Sequence, residues 1–396
     1  MVKRYRIGLI FRNNSNWVAG TYYIINLIHA LNKIDDEQKP ELVIITNTPE
    51  EFGLIEKTGY PYLKFQQIVG KDFSPTYHKI ERGINRVFNA FIGKPLIVKK
   101  ETKKRMNCDL DMLFPASNHI YYSTIKNHLY WIPDFQEHFL PQFFSEEEIK
   151  SRKAYQLELA NKKSSIVFSS NDAISHFHKF YPNALAASYV MQFAVTHPKY
   201  NEIAINDLYE KYNISQPFFF CPNQVWAHKN HIVVLKAVKR LKELGNHKIL
   251  VLFSGKEHDN RNLNFFNELK KFIEENNIEA NIKFLGFIDR EDQLQLMNTA
   301  ISVIQPSLFE GWSTVIEDVK SIGQYVIASN LTVHKEQITE NVAFFNPNEA
   351  NELAEIMNRF SIESPMRKPI RYEENVKKFG EQFVHIAERV ISKNNR

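Results

Sequence analysis

Short apolar runs alternate with amphipathic stretches along most of this chain. Segments with helical spacing, such as His231–Gly245 and Asn264–Asn277, separate the apolar runs. Strands that alternate with helices are typical of parallel sheets, and uninterrupted apolar strands indicate burial on both faces. The pattern therefore predicts an α/β fold with these strands: Ile7–Phe11, Leu42–Thr46, Met112–Phe114, Leu129–Ile132, Ile166–Ser169, Tyr189–Gln192, Phe218–Cys221, Ile249–Phe253, Ile282–Leu285, Ile301–Ile304, Tyr325–Ala328 and Val342–Phe345.

The alternation stops between His197 and Pro217, where the sequence is polar and carries a proline near each end. A chain of 396 residues is also long for one domain. The sequence therefore predicts an N-terminal domain over residues 1–196, a linker, and a C-terminal domain over residues 217–375. The remaining segment, residues 376–396, continues an amphipathic helical pattern.

Polar residues gather in two loops of the stretch Ser307–Glu336. Glu310 and Gly311 follow a predicted buried strand, and Thr314 is the predicted N-cap of the next helix, with Glu317 as its capping-box partner. Free N–H groups at such a helix start favour an anion, commonly phosphate.

Two carboxylates bracket this predicted anion site. Glu310 lies before the helix and Asp318 follows eight residues later. Phosphates on the N–H groups and sugar or ribose hydroxyls on the acids would suit a nucleotide-sugar. Both acids are also consistent with a plain acidic helix start, because acids favour that position.

This block resembles the C-terminal signature of the family 4 retaining glycosyltransferases, which have the two-domain GT-B fold. Their pattern is Glu, seven intervening residues, then Glu; here it runs from Glu310 to Asp318, so the second acid is one methylene shorter. The resemblance implies that Glu310 contacts the donor sugar, that Asp318 contacts the ribose, and that the helix start binds the diphosphate. It implies donor binding for the residues between the acids: Gly311, Trp312, Ser313, Thr314 and Val315.

Two loops earlier in the C-terminal half fit the same family. Where the family carries Arg and, five residues later, Lys against the donor diphosphate, this chain has Gln224 and Lys229. A solvated lysine is the alternative for Lys229, although a cation is unfavourable at a helix start. Gly255 and Lys256 match the strand-end loop that lies against the phosphates.

A third match places Phe287 and Ile288 where the family holds the nucleotide base. Phe287 is equally consistent with a plain core position.

In the N-terminal half, the resemblance assigns roles to a glycine and a histidine. Gly20 is predicted to lie in a loop before the first long helix, near the donor phosphates, with a simple helix-entry turn as the alternative. His138 follows a predicted strand and is the candidate that faces the reacting sugar, with a surface loop histidine as its alternative. Asp134 and Glu137 are weaker candidates.

Basic residues concentrate between Gly93 and Asn107, which suggests peripheral contact with anionic lipid headgroups near a lipid-linked acceptor. A solvated helix face is the alternative for such a charge run. The residues of this predicted lipid contact are Lys99, Lys100, Lys103, Lys104 and Arg105.

Composition narrows the class of protein. The net charge of +5 is too small to indicate a nucleic-acid partner, and the sequence contains no nucleic-acid-binding motif. The two cysteines have no metal-type spacing, so the sequence predicts neither a metal site nor a resident cofactor. The basic N-terminus lacks the apolar run of a secretory signal, which favours a cytoplasmic location.

Together the motifs and the resemblance predict two Rossmann-like GT-B domains, with the last helix, residues 376–396, packing back on the N-terminal domain. The predicted function is metal-independent, retaining transfer of a hexose to a saccharide or lipid-linked acceptor in surface polysaccharide synthesis, of the lipopolysaccharide or capsule kind. Mannose from GDP-mannose is the favoured donor, and UDP-hexoses remain open. The alternatives are a nucleotide-sugar epimerase and a non-catalytic partner or glycan-binding protein, which the loss of the arginine at Gln224 favours.

Overall fold

The computed structural model describes residues 4–13, 18–67, 109–116, 125–200, 202, 204–259 and 261–393. The basic cluster at residues 99–105, predicted to contact lipid, lies outside these ranges.

Two sheets form the framework, and every strand pair with a described register is parallel. The first sheet has the order β3-β2-β1-β4-β5-β6-β7 and the second has the order β10-β9-β8-β11-β12-β13. The strands of the first sheet are β1 Arg6–Ile10, β2 Glu41–Thr46, β3 Leu63–Gln67, β4 Met112–Ala116, β5 His128–Ile132, β6 Ser165–Phe168 and β7 Ala187–Val190. Those of the second are β8 Phe219–Cys221, β9 Val251–Phe253, β10 Ile282–Phe284, β11 Val303–Gln305, β12 Val326–Ser329 and β13 Val342–Phe345.

Helices follow most strands, as the alternation predicts. The described helices are α1 Val18–Asn32, α2 Pro49–Glu56, α3 Gln136–Phe139, α4 Glu146–Ala160, α5 Asn171–Phe180, α6 Ile205–Lys211, α7 His231–Glu243, α8 Phe265–Glu275, α9 Arg290–Thr299, α10 Thr314–Ile322, α11 Thr332–Gln337, α12 Ala350–Ile362 and α13 Tyr372–Lys393.

All twelve predicted strands are present, with ends that shift by one or two residues, and the two-sheet α/β architecture is confirmed. Sequence patterning misses β3, an edge strand of the first sheet. Its residues Lys64, Phe65 and Gln67 are exposed, so no apolar run or clean alternation marks it.

The second sheet is buried on both faces. Phe219 and Val251 pack into one apolar cluster, whereas their neighbours Phe220 and Leu252 pack into another. Because successive strand side chains point to opposite faces, the two clusters lie on opposite sides of the sheet. This double burial explains why these strands are uninterrupted apolar runs.

The predicted linker contains a short helix, α6. Its Leu208 is 1% exposed and packs with Ile214 and Phe218 in one of the two clusters. This part of the segment therefore belongs to the packed structure around the second sheet.

The chain divides into two compact units, one of residues 1–28, 35–131 and 384–396, the other of residues 29–34 and 132–383. The predicted domain limits stay predictions. Within the larger unit, a Cβ atom on Gly380 of α13 would lie 2.6 Å from the Ala30 carbonyl oxygen of α1. Glycine thus permits the close approach of these two helices.

Candidate functional site

The loop after β11 carries Glu310, the centre of the candidate site. Its Oε1 accepts hydrogen bonds from Lys229 Nζ (2.6 Å), Gln305 Nε2 (2.9 Å) and Ser307 Oγ (2.7 Å). Burial favours the neutral carboxyl, but Lys229, His334 and the hydrogen bonds outweigh it and hold the pKa of Glu310 below its ordinary value. Glu310 is therefore a charged carboxylate.

The two oxygens of Glu310 have different environments. Oε1 takes three donors, whereas Oε2 takes no hydrogen bond from any residue that the structure describes. The side chain is 10% exposed. Oε2 is thus the oxygen left for a ligand hydroxyl.

Lys229 lies in a 3-10 turn, Ala227–Lys229, and not at the start of a helix as the sequence suggests. Asn230, with φ of 57°, separates it from α7, which begins at His231. The Lys229 side chain is 16% exposed and paired with Glu310, so the alternative of a solvated lysine is wrong.

The structure brings Gln224, Gly255 and Lys256 together. Gln224 Oε1 accepts a hydrogen bond from the Lys256 N–H (3.2 Å). Gly255 has a φ of 141°, and a Cβ atom there would lie 2.4 Å from the Asn223 carbonyl oxygen. A side chain is excluded at this position, and Gln224 uses its amide to hold the strand-end loop.

The N-cap of α10 is Ser313, so the predicted cap at Thr314 is wrong by one residue. Ser313 Oγ accepts from the Ile316 N–H, and Thr314 is the first helical residue. The first N–H groups of an α-helix have no partner inside the helix. Those of Thr314 and Val315 also find no partner among the described residues.

Glu317 is not a capping residue either. It is 1% exposed and accepts hydrogen bonds from Lys320 Nζ (2.8 Å), Gln337 Nε2 (2.9 Å) and Tyr372 Oη (2.5 Å). The capping-box prediction fails because these partners hold the carboxylate on the buried side of α10.

Asp318 is also buried, at 2% exposed, and lies 2.5 Å from an Arg290 guanidinium nitrogen. His197 Nε2 lies 3.8 Å away. Burial lowers the pKa of His197 to about 4, so the imidazole is neutral at neutral pH. A ribose hydroxyl on Asp318 would share the carboxylate with Arg290, and this role remains a prediction.

The Glu310 loop also lies against the end of β5. A Cβ atom on Gly311 would be 2.3 Å from the Pro133 carbonyl oxygen and 2.8 Å from Asp134 Cβ. Trp312 Nε1 donates to the Phe193 carbonyl oxygen (3.0 Å). Gly311 and Trp312 thus fix the loop in place, and the donor binding expected of them stays a prediction.

Asp134, a weaker candidate in the sequence analysis, follows β5 and has a shifted pKa. Burial raises its pKa, and the nearby charges of Glu137 and Glu310 raise it further. Glu310 follows β11, whereas Asp134 follows β5, and the charge of Glu310 acts on the pKa of Asp134. Its placement after a parallel strand is the sequence signal for it.

His138 is packed rather than lying in an open loop. Its ring stacks on Phe180 with centroids 4.0 Å apart, and Nε2 contacts Gln156 Oε1 at 3.2 Å. Burial lowers its pKa. Glu137 is fully buried and accepts a hydrogen bond from Gln156 Nε2 (2.6 Å), so it helps to hold Gln156 against His138. The catalytic role of His138 remains a prediction.

Three other predicted positions differ in their surroundings. Gly20 lies in the first turn of α1 and not in the loop before it, so its predicted loop position is wrong, and its donor-binding role stays a prediction. Phe287 is 64% exposed, which excludes the alternative of a core position, and Lys256 Nζ lies 5.8 Å from its ring centroid. Ile288 is partly buried against the second-sheet core.

His334 follows β12, at a strand end that the sequence places on the side of the site, and its protonated form lowers the pKa of Glu310. The side chain is fully buried, and Nδ1 donates to the Ser329 carbonyl oxygen at 2.8 Å. Burial lowers its pKa, whereas the Glu310 carboxylate and the hydrogen bond to Ser329 raise it in part. Its position after β12 is the signal that points to it.

The described residues contain no group of three or more His, Cys, Asp or Glu side chains arranged to hold a metal ion. In the same part of the chain, no helix has the length and apolar character needed to cross a bilayer.

Comparison with known proteins finds one family model that matches part of the chain. Residues 206–379 match the model of the family described as glycosyl transferases group 1. The sequence matches none of the curated proteins with which it was compared.

Solved structures share the fold across the whole chain. A glycosyltransferase from Rickettsia africae has a TM-score of 0.58 at 16% identity and covers 99% of this chain and 97% of its own. HepE from Anabaena, in complex with UDP and glucose, has a TM-score of 0.61 at 15% identity and covers 99% of this chain and 100% of its own. WaaG, a glycosyltransferase involved in lipopolysaccharide biosynthesis, has a TM-score of 0.55 at 11% identity and covers 98% of each chain.

The chain therefore has the GT-B fold, with two Rossmann-like parallel sheets, and its residues 206–379 match the glycosyl transferases group 1 family.

Proposed function

We propose that this protein is a glycosyltransferase that moves a hexose from a nucleotide diphosphate sugar to a saccharide or lipid-linked acceptor. The observation that carries the proposal is the arrangement around Glu310. Its Oε1 is held by three donors including Lys229, and its Oε2 is left for a ligand. The unpaired N–H groups at the start of α10 follow in the same loop.

These parts divide the chemical work. The N–H groups of Thr314 and Val315 and the ammonium of Lys229 stabilise the negative charge that develops on the leaving diphosphate, because preorganised donors act where charge appears. Glu310 accepts a hydroxyl of the donor sugar through Oε2. Lys229 is fixed by Glu310, so it does not need to be ordered when the donor binds.

We include retention of the anomeric configuration and independence of metal in the proposal, on the resemblance to family 4. We place Asp134 with Glu310 on the sugar side of this arrangement, because the charge of Glu310 contributes to the raised pKa of Asp134.

GDP-mannose is the first donor to test, because the resemblance to polysaccharide enzymes favours it. UDP-glucose is the second, because HepE of Anabaena was solved with UDP and glucose. A role in surface polysaccharide synthesis is part of the same proposal, and WaaG, with the same fold, is involved in lipopolysaccharide biosynthesis.

The test begins with thermal shift of the full chain against UDP, GDP and their sugars. A nucleotide at one hundred times its Kd stabilises a protein by about 2.7 kcal/mol. NMR of the product made from the binding donor then gives the anomeric configuration. Conversion of donor alone to an epimer would favour the epimerase alternative, and the absence of binding by every nucleotide would favour a non-catalytic protein.

Peripheral membrane contact through the basic cluster at residues 99–105 completes the proposal. Cosedimentation with vesicles of anionic lipid tests it, with neutral vesicles as the control. Binding to anionic vesicles that salt abolishes is expected, since about 1 kcal/mol per basic residue is electrostatic and screened. Equal binding to neutral vesicles, or none to either, would contradict it.

A further inference from the structure

A buried chain of hydrogen bonds joins the first residue of α13 to the N-cap of α10. Tyr372 Oη lies 2.5 Å from Glu317 Oε2, and Glu317 Oε1 accepts from Gln337 Nε2 at 2.9 Å. The Gln337 amide then contacts Ser313 twice, with Nε2 donating to the Ser313 carbonyl oxygen (2.7 Å) and Oε1 accepting from the Ser313 N–H (3.0 Å). We call these four residues the cap network.

Each hydrogen bond of the cap network has a defined donor and a defined acceptor. Burial, followed by the charge of Glu317, raises the pKa of Tyr372 well above its ordinary value. The Tyr372 hydroxyl therefore stays protonated, donates to Glu317, and accepts from the Val195 N–H at 2.8 Å. Gln337 must direct Nε2 at Glu317 and at the Ser313 carbonyl, because neither of these oxygens can donate.

The side chains of the cap network are buried, so each of their polar atoms needs a hydrogen-bond partner inside the protein. Glu317 is 1% exposed, Gln337 4% and Tyr372 8%. The Lys320 ammonium, 2.8 Å from Glu317 Oε1, supplies the opposite charge. Unpaired polar groups are costly in such surroundings, so the alternative orientations of the Gln337 amide are disfavoured.

Because peptide groups are planar, the hydrogen bonds of the cap network also fix the orientation of the first N–H groups of α10. The Ser313 carbonyl and the Thr314 N–H belong to one planar trans peptide, so they point in opposite directions. The bond from Gln337 Nε2 to the Ser313 carbonyl oxygen therefore turns the Thr314 N–H away from Gln337. The Ser313 N–H, which is held by Gln337 Oε1, fixes the preceding peptide in the same way.

We propose that Glu317, Gln337 and Tyr372 are positioning residues that aim the first N–H groups of α10 at the donor diphosphate. They act through Ser313. This inference rests on the proposed function, since it assigns the ligand of those N–H groups to a nucleoside diphosphate.

The test uses Tyr372→Phe, which keeps the ring and removes the hydroxyl from Glu317. Its matched control is Tyr325→Phe, because the Tyr325 hydroxyl donates to the Val342 carbonyl oxygen (3.0 Å) outside the cap network. Calorimetric titration measures UDP and GDP binding, with uridine and guanosine as probes that lack phosphate, and thermal unfolding confirms that both variants are folded.

Tyr372→Phe is expected to raise the Kd for the diphosphate that the wild type binds by about fivefold to tenfold, the weight of one hydrogen bond. The Kd of its nucleoside and the behaviour of Tyr325→Phe should not change. Wild-type diphosphate affinity in a folded Tyr372→Phe, or an equal loss in Tyr325→Phe, would overturn the positioning role alone. A wild-type protein that binds neither diphosphate would overturn the proposed function and this inference with it.

A swapped pair supplies a second, independent measurement. Gln337→Glu places two carboxylates together and removes the donor to Ser313, so it should weaken diphosphate binding more than Tyr372→Phe. Adding Glu317→Gln restores an amide–carboxylate bond between the two positions and should recover part of the affinity. A double variant that binds diphosphate no better than Gln337→Glu would contradict the network.

Discussion

Lys229 Nζ and Glu310 Oε1 lie 2.6 Å apart, although the resemblance gives them different parts of the donor to hold. The pair is mostly buried, with side chains 16% and 10% exposed. In this structure the cation expected on the diphosphate neutralises the acid expected on the sugar. A donor that binds here would enter beside an ion pair that is already formed, and each partner orients the other.

Lys229→Ala is therefore expected to slow hexose transfer by about a hundredfold or more, because it removes a preorganised positive charge from the developing diphosphate. It also leaves Glu310 without its cation, and breaking a buried pair costs up to about 3–5 kcal/mol of stability. Steady-state turnover and chemical unfolding measure the two effects separately.

Lys239→Ala is the control for this substitution. Lys239 lies on α7, is 45% exposed, and pairs only loosely with Glu243 at 4.0 Å. It should change neither quantity. Normal turnover in folded Lys229→Ala would remove Lys229 from the mechanism.

Asp134→Asn is expected to stabilise the protein at neutral pH. Burial raises the pKa of Asp134, so the folded state penalises its ionised form. The contribution of Asp134 to the free energy of unfolding is thus fully present below its pKa in the unfolded chain. It is lost as pH rises through the raised pKa that Asp134 has in the folded chain. Asparagine keeps the acceptor for the Gln136 N–H (3.0 Å) and has no charge. Unfolding at pH 7, with exposed Asp35→Asn as control, tests the expectation; a lower Tm in Asp134→Asn would contradict it.

The same substitution tests catalysis. If a protonated Asp134 takes part in transfer, Asp134→Asn should lose turnover while gaining stability. Unchanged turnover would leave Asp134 a packing residue beside Glu310.

A fall in stability between about pH 6.5 and pH 4 is expected from His231. Burial lowers its pKa from 6.5 to about 4, so the unfolded chain binds a proton that the folded chain does not. Stability is therefore full above the unfolded pKa and decreases as pH falls through this window. His231→Gln should reduce the slope of unfolding free energy against pH, whereas a matched change at exposed His247 should not. An unaltered slope in His231→Gln would show that other groups cause the dependence.

The second sheet and α10 differ in how well the sequence alone predicts them. Phe219 and Phe220 predict a strand buried on both faces, because local pattern and burial agree there. The cap of α10 is different: Thr314 and Glu317 have capping-box spacing, yet Ser313 is the cap. Two of the hydrogen-bond donors that hold the Glu317 carboxylate, Gln337 and Tyr372, lie 20 and 55 residues away in the sequence. No local sequence pattern reveals them.

Polar residues after parallel strands were the useful signal for the site, because such ends meet at one edge. That signal indicated Glu310, whereas the resemblance to the family indicated Lys229 and Gly255. It could not show that Lys229 and Glu310 pair, nor that Gln224 bonds to the neighbouring loop, since both follow from side-chain geometry across loops distant in sequence.

Transfer is expected to survive removal of divalent cations, because in the proposed mechanism Lys229 and the α10 N–H groups supply the positive charge that a metal supplies in other enzymes. Activity after EDTA treatment and gel filtration measures this. Recovery of activity only on addition of manganese or magnesium would contradict it.

The last prediction concerns Asp318, which the resemblance assigns to the ribose and which the structure pairs with Arg290 at 2.5 Å. If the carboxylate also accepts a ribose hydroxyl, Asp318→Asn should weaken binding of the ribonucleoside diphosphate by about 1.5–3 kcal/mol, the weight of a charged hydrogen bond. Binding of the 2′,3′-dideoxy nucleotide, which lacks both hydroxyls, should change little, so the two affinities converge. Arg290→Gln is the control that breaks the ion pair but keeps the carboxylate, and it should preserve the preference for the ribonucleotide. If Asp318→Asn weakens both nucleotides equally, the carboxylate supports the fold through Arg290 and does not touch the ribose.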